Sequence, residues 1–403
     1  MMVIGQVISI LGSALLRFAL SLYILDITGR ADIYALLFAI SNIPLLLSPL
    51  GGAVADRFSR QKLMVIFDFT SSAIIFLYYF LMAGDLPIIM LTGTVMVALS
   101  VISSMYSPAV TASIPLLVEE RRLEAANGMV NGVQALSNVA APIIGGVCYG
   151  IFGVNTLVLI SGAAFFCSAV LELFIRIPFV KRGFSGPVIP AIAGDLKEGI
   201  TYVVRKPMIR KAMILAALLN MILTPFFVVG GPIILKNAMH STDAMYGIGM
   251  GSINFATILG ALAMGLTVGR LHMKNLYRLL LFIAALFAPM ALAVTPQLAG
   301  LGFYPGYLLF LGCSIPVAMI MTIVSIFVIT RVQRETPNEN LGKVMACIMA
   351  VSQCTAPLGQ LAYGLVFQVF DSAIYLPALF ICGAMVLLSL AARKMMENEV
   401  ELC

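Results

Sequence analysis

Gly51-Gly52-Ala53-Val54-Ala55-Asp56-Arg57-Phe58-Ser59-Arg60-Gln61-Lys62 is a short polar stretch between two long apolar runs, 33–54 and 63–83. Each run is long enough for a membrane-crossing helix, which needs roughly 20 apolar residues. The stretch between them has room only for a tight hairpin joining antiparallel helices. Its glycines suit the close approach of one helix end to its neighbours. Its cations mark the side of the membrane that faces the cytoplasm. Asp56 stands near the start of the next helix, where the positive end of the helix dipole favours a carboxylate.

The rest of the chain repeats this alternation. Of 403 residues, 61% are hydrophobic and 10% charged, and the mean hydropathy is +1.05. Soluble domains carry about 25% charged residues, so the composition is that of a chain folded in lipid. The net charge of +6 is no nucleic-acid footprint, because the cations are scattered through short loops and form no patch. Six of the seven cysteines, Cys148, Cys167, Cys313, Cys347, Cys354 and Cys382, fall in apolar runs without CxxC spacing, and Cys403 ends the chain. Small hydrophobes in packed helices is the reading that fits them. With no Trp, an interfacial aromatic belt falls to residues such as Tyr23, Tyr34, Tyr78 and Tyr79.

Twelve spans are expected: 3–25, 33–54, 63–83, 88–106, 126–151, 154–175, 212–235, 244–268, 276–294, 304–329, 344–370 and 374–392. The first lacks the cationic lead of a signal peptide and runs on to Leu25, so it reads as an uncleaved span. With both termini inside, 21 Lys and Arg lie on the cytoplasmic face, against Arg30 and Lys236 opposite and Arg17 within a span. That bias sets the orientation. The longest polar stretch, 178–211, opens as a linker. It closes as an amphipathic helix over 195–204, with Leu196, Ile200, Val203 and Val204 on one side. It divides the chain into 1–177, 178–211 and 212–403. Weak internal repetition agrees: Ala141-Pro142 recurs as Ala356-Pro357, and Tyr149-Gly150 as Tyr363-Gly364.

The opening stretch resembles the signature loop of the Major Facilitator Superfamily: Gly52, three small or apolar residues, Asp56-Arg57, then Arg60 and Lys62, between the second and third spans. Gly5-Gln6, Leu11-Gly12-Ser13 and the region 109–128 resemble the macrolide-efflux branch of its drug exporters. Ala141-Pro142-Ile143-Ile144-Gly145-Gly146 is similar to the family's antiporter motif, with Ala141 in place of its first Gly. The resemblance implies an all-α membrane protein of twelve transmembrane helices in two six-helix bundles, working as a monomer by alternating access. It implies a gate built from Gly52, Asp56, Arg57 and Arg60, in which Asp56 meets the start of span eleven or a cation such as Arg331, Arg334 or Lys343. It also implies a kinked, tightly packed element at Pro142, Gly145 and Gly146. Relatives often carry Asp where Ser13 stands and an Arg in span four, which 88–106 lacks. The short polar lead that relatives carry before span one is also missing, the pattern of a clipped start.

Span five carries the most information. Asn127, Asn131, Gln134 and Asn138 recur at i, i+4, i+7 and i+11, one stripe of a helix. Amides facing lipid are costly, so the stripe faces protein or water. Interhelical hydrogen bonds, worth about 0.6 kcal/mol on average, are one use of it; a cavity wall is the other. Arg17 is a mid-span cation, which costs about 2.5–3.5 kcal/mol on insertion scales. It should face inward, as an anchor for a polar or anionic substrate group or in a structural pair with Asp26. Proton coupling needs an intramembrane carboxylate, and the candidates are Asp26 and Asp68; an ion pair of Asp68 with Arg57 or Lys62 is the alternative. Glu172 lies near the inner end of span six. The pairs Gly128/Gly132, Gly146/Gly150 and Gly265/Gly269 read as helix packing. No Walker loop, GxSxG or HExxH occurs, and His240 and His272 are isolated. Enzyme, cofactor, metal and nucleic-acid readings have no support.

These features favour export of amphipathic small molecules across a bacterial inner membrane, driven by a proton or other ion gradient. With 24 Met and 24 Phe, soft cavity walls can repack around varied solutes. A transporter specific for a metabolite, siderophore or lysolipid is the alternative, and a non-transporting membrane receptor is a third.

Overall fold

The structure is a computed structural model that describes residues 2–119, 123–175, 177, 188–267 and 271–397. Among these residues there is no strand. The helices are α1, Met2–Thr28; α2, 31–57; α3, Arg60–Leu81; α4, Ile88–Leu117; α5, 123–152, and α6, 154–173; α7, Val188–Arg205; α8, 207–238; α9, Asp243–Thr267; α10, Leu276–Leu292; α11, Phe303–Glu335; α12, Asn338–Val369; and α13, Tyr375–Glu397. Ten runs are long and apolar enough to cross a membrane, one of them 48 residues long. That run is broken at Gly153, whose φ of 73° lies where a side chain is strained. It therefore makes two passes, α5 and α6. Adding the 17-residue α10 gives twelve passes, as expected.

Several helices outrun the sequence reading. α4 continues past Tyr106 through Pro108 and Pro115 to Leu117. Proline removes one helix hydrogen bond and frees a carbonyl, but neighbours inside a membrane protein can satisfy it. Here the Ser104 carbonyl, four residues before Pro108, lies against Gly51 of α2. α2 itself narrows to a 3₁₀ turn over Ile43–Leu47, around Pro44. α8 contains two π-helical turns, Phe226–Gly230 and Ile234–Ala238, after Pro225 and Pro232. α11 and α12 extend far enough that Arg331, Arg334 and Lys343 stand on helices and not in a loop. α7 begins at Val188, seven residues before the expected start.

Contacts divide the chain into two compact units. Unit 1 comprises Met1–Thr28, Leu37–Gly194 and Asp243–Gly251; unit 2 comprises Gly29–Leu36, Asp195–Thr242 and Ser252–Cys403. In unit 1, α1 packs on α5 and α6, α3 on α6 and α4, and the end of α2 on α4. Leu15, Leu16, Phe18, Ala19 and Leu20 of α1 are all buried. In unit 2, α8 packs on α12 and α10 on α11 and α13. Phe226 anchors its core, 4.8 Å from Phe287 and 6.3 Å from Phe310 between ring centroids. The 29–36 segment is tied into unit 2 by hydrogen bonds. The Ala31 N–H donates to Gln368 Oε1 (3.1 Å), the Tyr34 hydroxyl to the Val228 carbonyl (3.1 Å) and Asn237 Nδ2 to the Gly29 carbonyl (2.9 Å). In α7, Gly199 lies against the backbone of Lys343, whose ammonium pairs with Glu198.

The two glycines of the opening stretch are not equivalent. A Cβ on Gly51 would stand 2.6 Å from the Ser104 carbonyl oxygen and 2.9 Å from Met105 Cα, whereas one on Gly52 would meet nothing within 4 Å. The close approach expected of this stretch is made by Gly51. Gly51→Ala should therefore cost about 1–3 kcal/mol of overpacking and lower the melting temperature in detergent. Gly52→Ala should leave it unchanged. The Lys343 ammonium holds the Glu198 carboxyl below its ordinary range. The stabilisation from that pair is present above the ordinary Glu value and disappears as pH falls through the depressed one. The melting difference between the protein and Glu198→Gln should be small at neutral pH, as for any exposed pair, and vanish in acid.

Candidate functional site

The amides of α5 share one face, and that face is exposed. Asn127, Asn131, Gln134 and Asn138 are all exposed, and Gln134 Nε2 donates to Asn138 Oδ1 at 3.2 Å. α5 has a second exposed stripe, Met129, Leu136, Ile144 and Val147, which is purely apolar. At 3.6 residues per turn its mean direction lies about 160° from that of the amides. Both faces are exposed, one lined by amides and the other by apolar side chains. Asn127 belongs to this helix and not to the preceding loop.

Arg17 has accessible surface yet is enclosed by protein on all sides, the residues flanking it on α1 are buried, and it has no ion-pair partner among the described residues. Asp26, the pairing partner considered for it, hydrogen-bonds Tyr149 of α5 instead. Asp243, the first residue of α9, faces the same tyrosine. A polar cluster from α1, α5 and α9 thus forms at the Gly29 end of unit 1.

Below that cluster α5 and α9 meet backbone to backbone. A Cβ on Gly146 would stand 2.9 Å from Gly247 Cα, and one on Gly247 would run into the Pro142 carbonyl oxygen. Gly145, on the neighbouring face, lies against Phe18 of α1, and Phe18 stacks on Tyr246 of α9 at 5.2 Å. Pro142, Gly145 and Gly146 are therefore packed as a unit, and their α9 partner Gly247 went unrecognised in the sequence. Unit 2 holds the counterpart. Gly359, Tyr363 and Gly364 lie 214 residues after Gly145, Tyr149 and Gly150. As Gly150 packs on Asp243 at the start of α9, Gly364 packs on Asp32 and Ala35 at the start of α2. The weak sequence repeat is a repeat of contacts. Gly128, Gly132 and Gly265 meet nothing within 4 Å, so they do not pack helices as expected, and Gly269 lies outside the described residues.

A second polar cluster lies at the Arg57 end of unit 1. Asp68 is buried and accepts a hydrogen bond from Ser9 Oγ at 3.2 Å; the Ser168 hydroxyl beside it donates to the Gly5 carbonyl at 2.9 Å. It does not pair with Lys62, whose side chain is exposed, nor with Arg57, also exposed. Glu172 of α6 is fully buried and accepts a hydrogen bond from the Tyr106 hydroxyl at 2.8 Å. The Gln61 amide fastens the end of α6, donating to the Glu172 and Leu173 carbonyls at 3.2 and 3.0 Å. Sequence reasoning named Asp68 but not its setting. The signal for Glu172 was a lone acid at the end of an otherwise apolar run.

Of the gate candidates, Arg60 is the most engaged. Its Nε donates to the Ala55 carbonyl (3.2 Å) and Nη1 to the Ala112 carbonyl (2.6 Å), tying the ends of α2 and α4. The Asp56 side chain lies outside the described residues, as do Arg121, Arg122, Arg176, Lys181, Arg182 and Arg270. Two of the cations considered for Asp56 have partners nearby: Arg331 pairs with Glu335 at 2.7 Å and Lys343 with Glu198.

Comparison with known proteins places this architecture. The family described as the Major Facilitator Superfamily matches residues 2–359. Macrolide efflux protein A of Streptococcus pyogenes is 22% identical over 361 residues, covering 88% of this chain and 85% of that protein. Its namesake in Enterococcus faecalis is 22% identical over 316 residues, covering 77% and 93%. Among solved structures, a mutant of the nucleoside transporter NupG superposes with a TM-score of 0.78 at 14% identity, covering 98% of this chain and all of that one. At that identity the likeness concerns the fold alone.

The α5–α9 contact leaves no room for a side chain. Gly247→Val should lower the melting temperature of the purified protein by more than Gly265→Val, because a Cβ on Gly265 of the same helix would meet nothing within 4 Å; overpacking costs about 1–3 kcal/mol.

Proposed function

Because the chain belongs to the Major Facilitator Superfamily, we propose that this multi-pass membrane transporter exports amphipathic small molecules from the bacterial cytoplasm by alternating access, using the proton gradient. The observation that carries this reading is the divided surface of α5. A water-facing row of amides set opposite an apolar stripe suits solutes that are partly polar and partly greasy. Amides offer both donors and acceptors and hold no charge, so they bind varied neutral groups without strict geometry. The macrolide-efflux relatives support the same substrate class. We place both termini in the cytoplasm, on the bias of Lys and Arg, and take the protein to work as a monomer with halves 1–177 and 212–403.

In this reading the Pro142–Gly146 segment of α5 seals on Gly247 in one state and parts in the other. Arg60 holds the hairpin beneath Asp56 rigid, so that a carboxylate there can bias one state over the other. A second reading, transport of a specific anionic solute, has one observation in its favour: the exposed Arg17. Arg17→Ala would then abolish transport outright, whereas an exporter of neutral amphiphiles would keep most of it.

Overexpression in a host stripped of its own pumps should lower the accumulation of erythromycin and lipophilic dyes, and collapsing the proton gradient should restore it. Replacing Asn131, Gln134 and Asn138 together by Leu should raise accumulation to the level of the host alone while the protein still reaches the membrane. Equal accumulation with and without the wild-type protein would sink the export reading.

A further inference from the structure

Two carboxyl groups in unit 1 are buried where no cation among the described residues meets them. Asp68 of α3 is 2% exposed and Glu172 of α6 is 0% exposed. The groups that bond or adjoin them are Ser9 from α1, Tyr106 from α4 and Ser168 from α6, and Gln61 of α3 donates to the Glu172 backbone carbonyl. Among the described residues none of these is a Lys, Arg or His. The nearer cations are spoken for or turned away: Arg60 caps two carbonyls, and Arg57 and Lys62 are exposed.

The two carboxyls are linked. Tyr106 donates to Glu172, Ser9 donates to Asp68, and Ser9 also lies within hydrogen-bond reach of Tyr106. Yet Asp68 Oδ2 and Glu172 Oε2 are buried with no hydrogen-bond partner, as is Nε2 of Gln6, itself 2% exposed. Gln6 stands on the same turn of α1 as Gly5, which lies against Glu172, and Ser9, which bonds Asp68. Two unneutralised carboxylates here would combine two desolvation penalties with mutual repulsion. An acid proton on either group removes a charge and supplies a donor where the heavy atoms leave one missing.

We propose that Asp68 and Glu172 form one proton-carrying site, closed over by α1, whose loading and unloading governs the packing of α1 on α6. The proposal rests on the proton-driven reading above and names the residues that carry it out. A proton from water binds one carboxylate oxygen as an O–H bond forms, and the pair is then singly charged or neutral and can stay dry beneath Gly5 and Ser9. Breaking that O–H bond returns the proton to water and leaves negative charge that must be hydrated. Water can reach it only if α1 draws back from α3 and α6. Tyr106 and Ser9 are positioning residues, sharing the charge between the two acids.

The test uses the purified full chain in proteoliposomes with labelled erythromycin, comparing wild type, Asp68→Asn, Glu172→Gln and the double variant. Asn and Gln imitate the protonated acids in size, so folding is expected to survive. Uptake driven by a pH gradient should fall about tenfold or more in each variant, while exchange without a gradient stays within about twofold, the pattern of lost coupling with binding retained. Tyr106→Phe should shift the pH dependence of uptake without abolishing it. Variants that keep gradient-driven uptake, or uptake that follows a sodium gradient and ignores pH, would overturn the proposal. If wild type moves no erythromycin, the export reading fails and the pair is judged by infrared difference spectra alone. A carboxylic-acid carbonyl band that titrates in wild type and is missing from the double variant sustains it; no such band in wild type overturns it.

Discussion

Hydrocarbon offers no hydrogen-bond partners, so every polar side chain within the spans must find protein or water. An intramembrane charge costs about 2.5–3.5 kcal/mol by insertion, several times the roughly 0.6 kcal/mol that an interhelical hydrogen bond returns. Such residues are therefore stabilised poorly by pairing alone. Their positions here sort into three settings: an exposed amide row on α5, a hydrogen-bonded cluster around Tyr149 at one end, and a dry carboxyl pair at the other. Each setting answers the same constraint differently. The amides stand exposed on α5, the tyrosine cluster shares hydrogen bonds, and each buried carboxyl accepts one hydrogen bond while its second oxygen has none.

Much of the fold was legible because lipid imposes so coarse a code. Apolar run length located all twelve passes, and the glycine at position 153 divided the 48-residue run as the boundary at 151–154 anticipated. Helix ends were harder: the expected fourth span closed at Tyr106, before Pro108 and Pro115, whereas the helix runs to Leu117. In an all-helical membrane interior a proline need not end a helix, and α4 goes on through both. The amide stripe was legible for the same reason that a soluble helix's apolar stripe is: period 3.6 survives any surroundings. What the sequence could not convey was tertiary adjacency. Asp68 looked close to the loop cations because it is near them along the chain, but the fold turns it toward α1 and α6. Gly247 was not singled out, and only its contact with Pro142 and Gly146 reveals why a side chain is missing there.

The repeat deepens this point. Identity between the two halves is too faint to trust at the level of letters. The same offset of 214 residues nevertheless relates three residues of α5 to three of α12. Both sets place a glycine against the first turn of another helix, Gly150 on Asp243 and Gly364 on Asp32. What was kept is a geometric requirement, small residues where two backbones touch, and not a particular sequence. Such a requirement is met by Gly, Ala or Ser in many orders, which is why sequence repetition decays faster than structural repetition.

Backbone-to-backbone contacts also have an energetic character that suits a moving part. Interdigitated Leu and Phe side chains bury large apolar areas, and separating them in water costs about 25 cal/mol per Å². Glycine contacts bury little area per residue and lock no rotamers. In α5 the Pro142–Gly146 segment meets α9 through such glycine contacts, whereas the core of α8, α10 and α11 is built from Phe226, Phe287 and Phe310. A weak, shape-specific contact at one end and a carboxyl pair at the other whose charge depends on protons are both low-energy devices within an otherwise rigid frame. A difference of a few kcal/mol, the size of one protonation event or one bound solute, is then sufficient to choose between two packings.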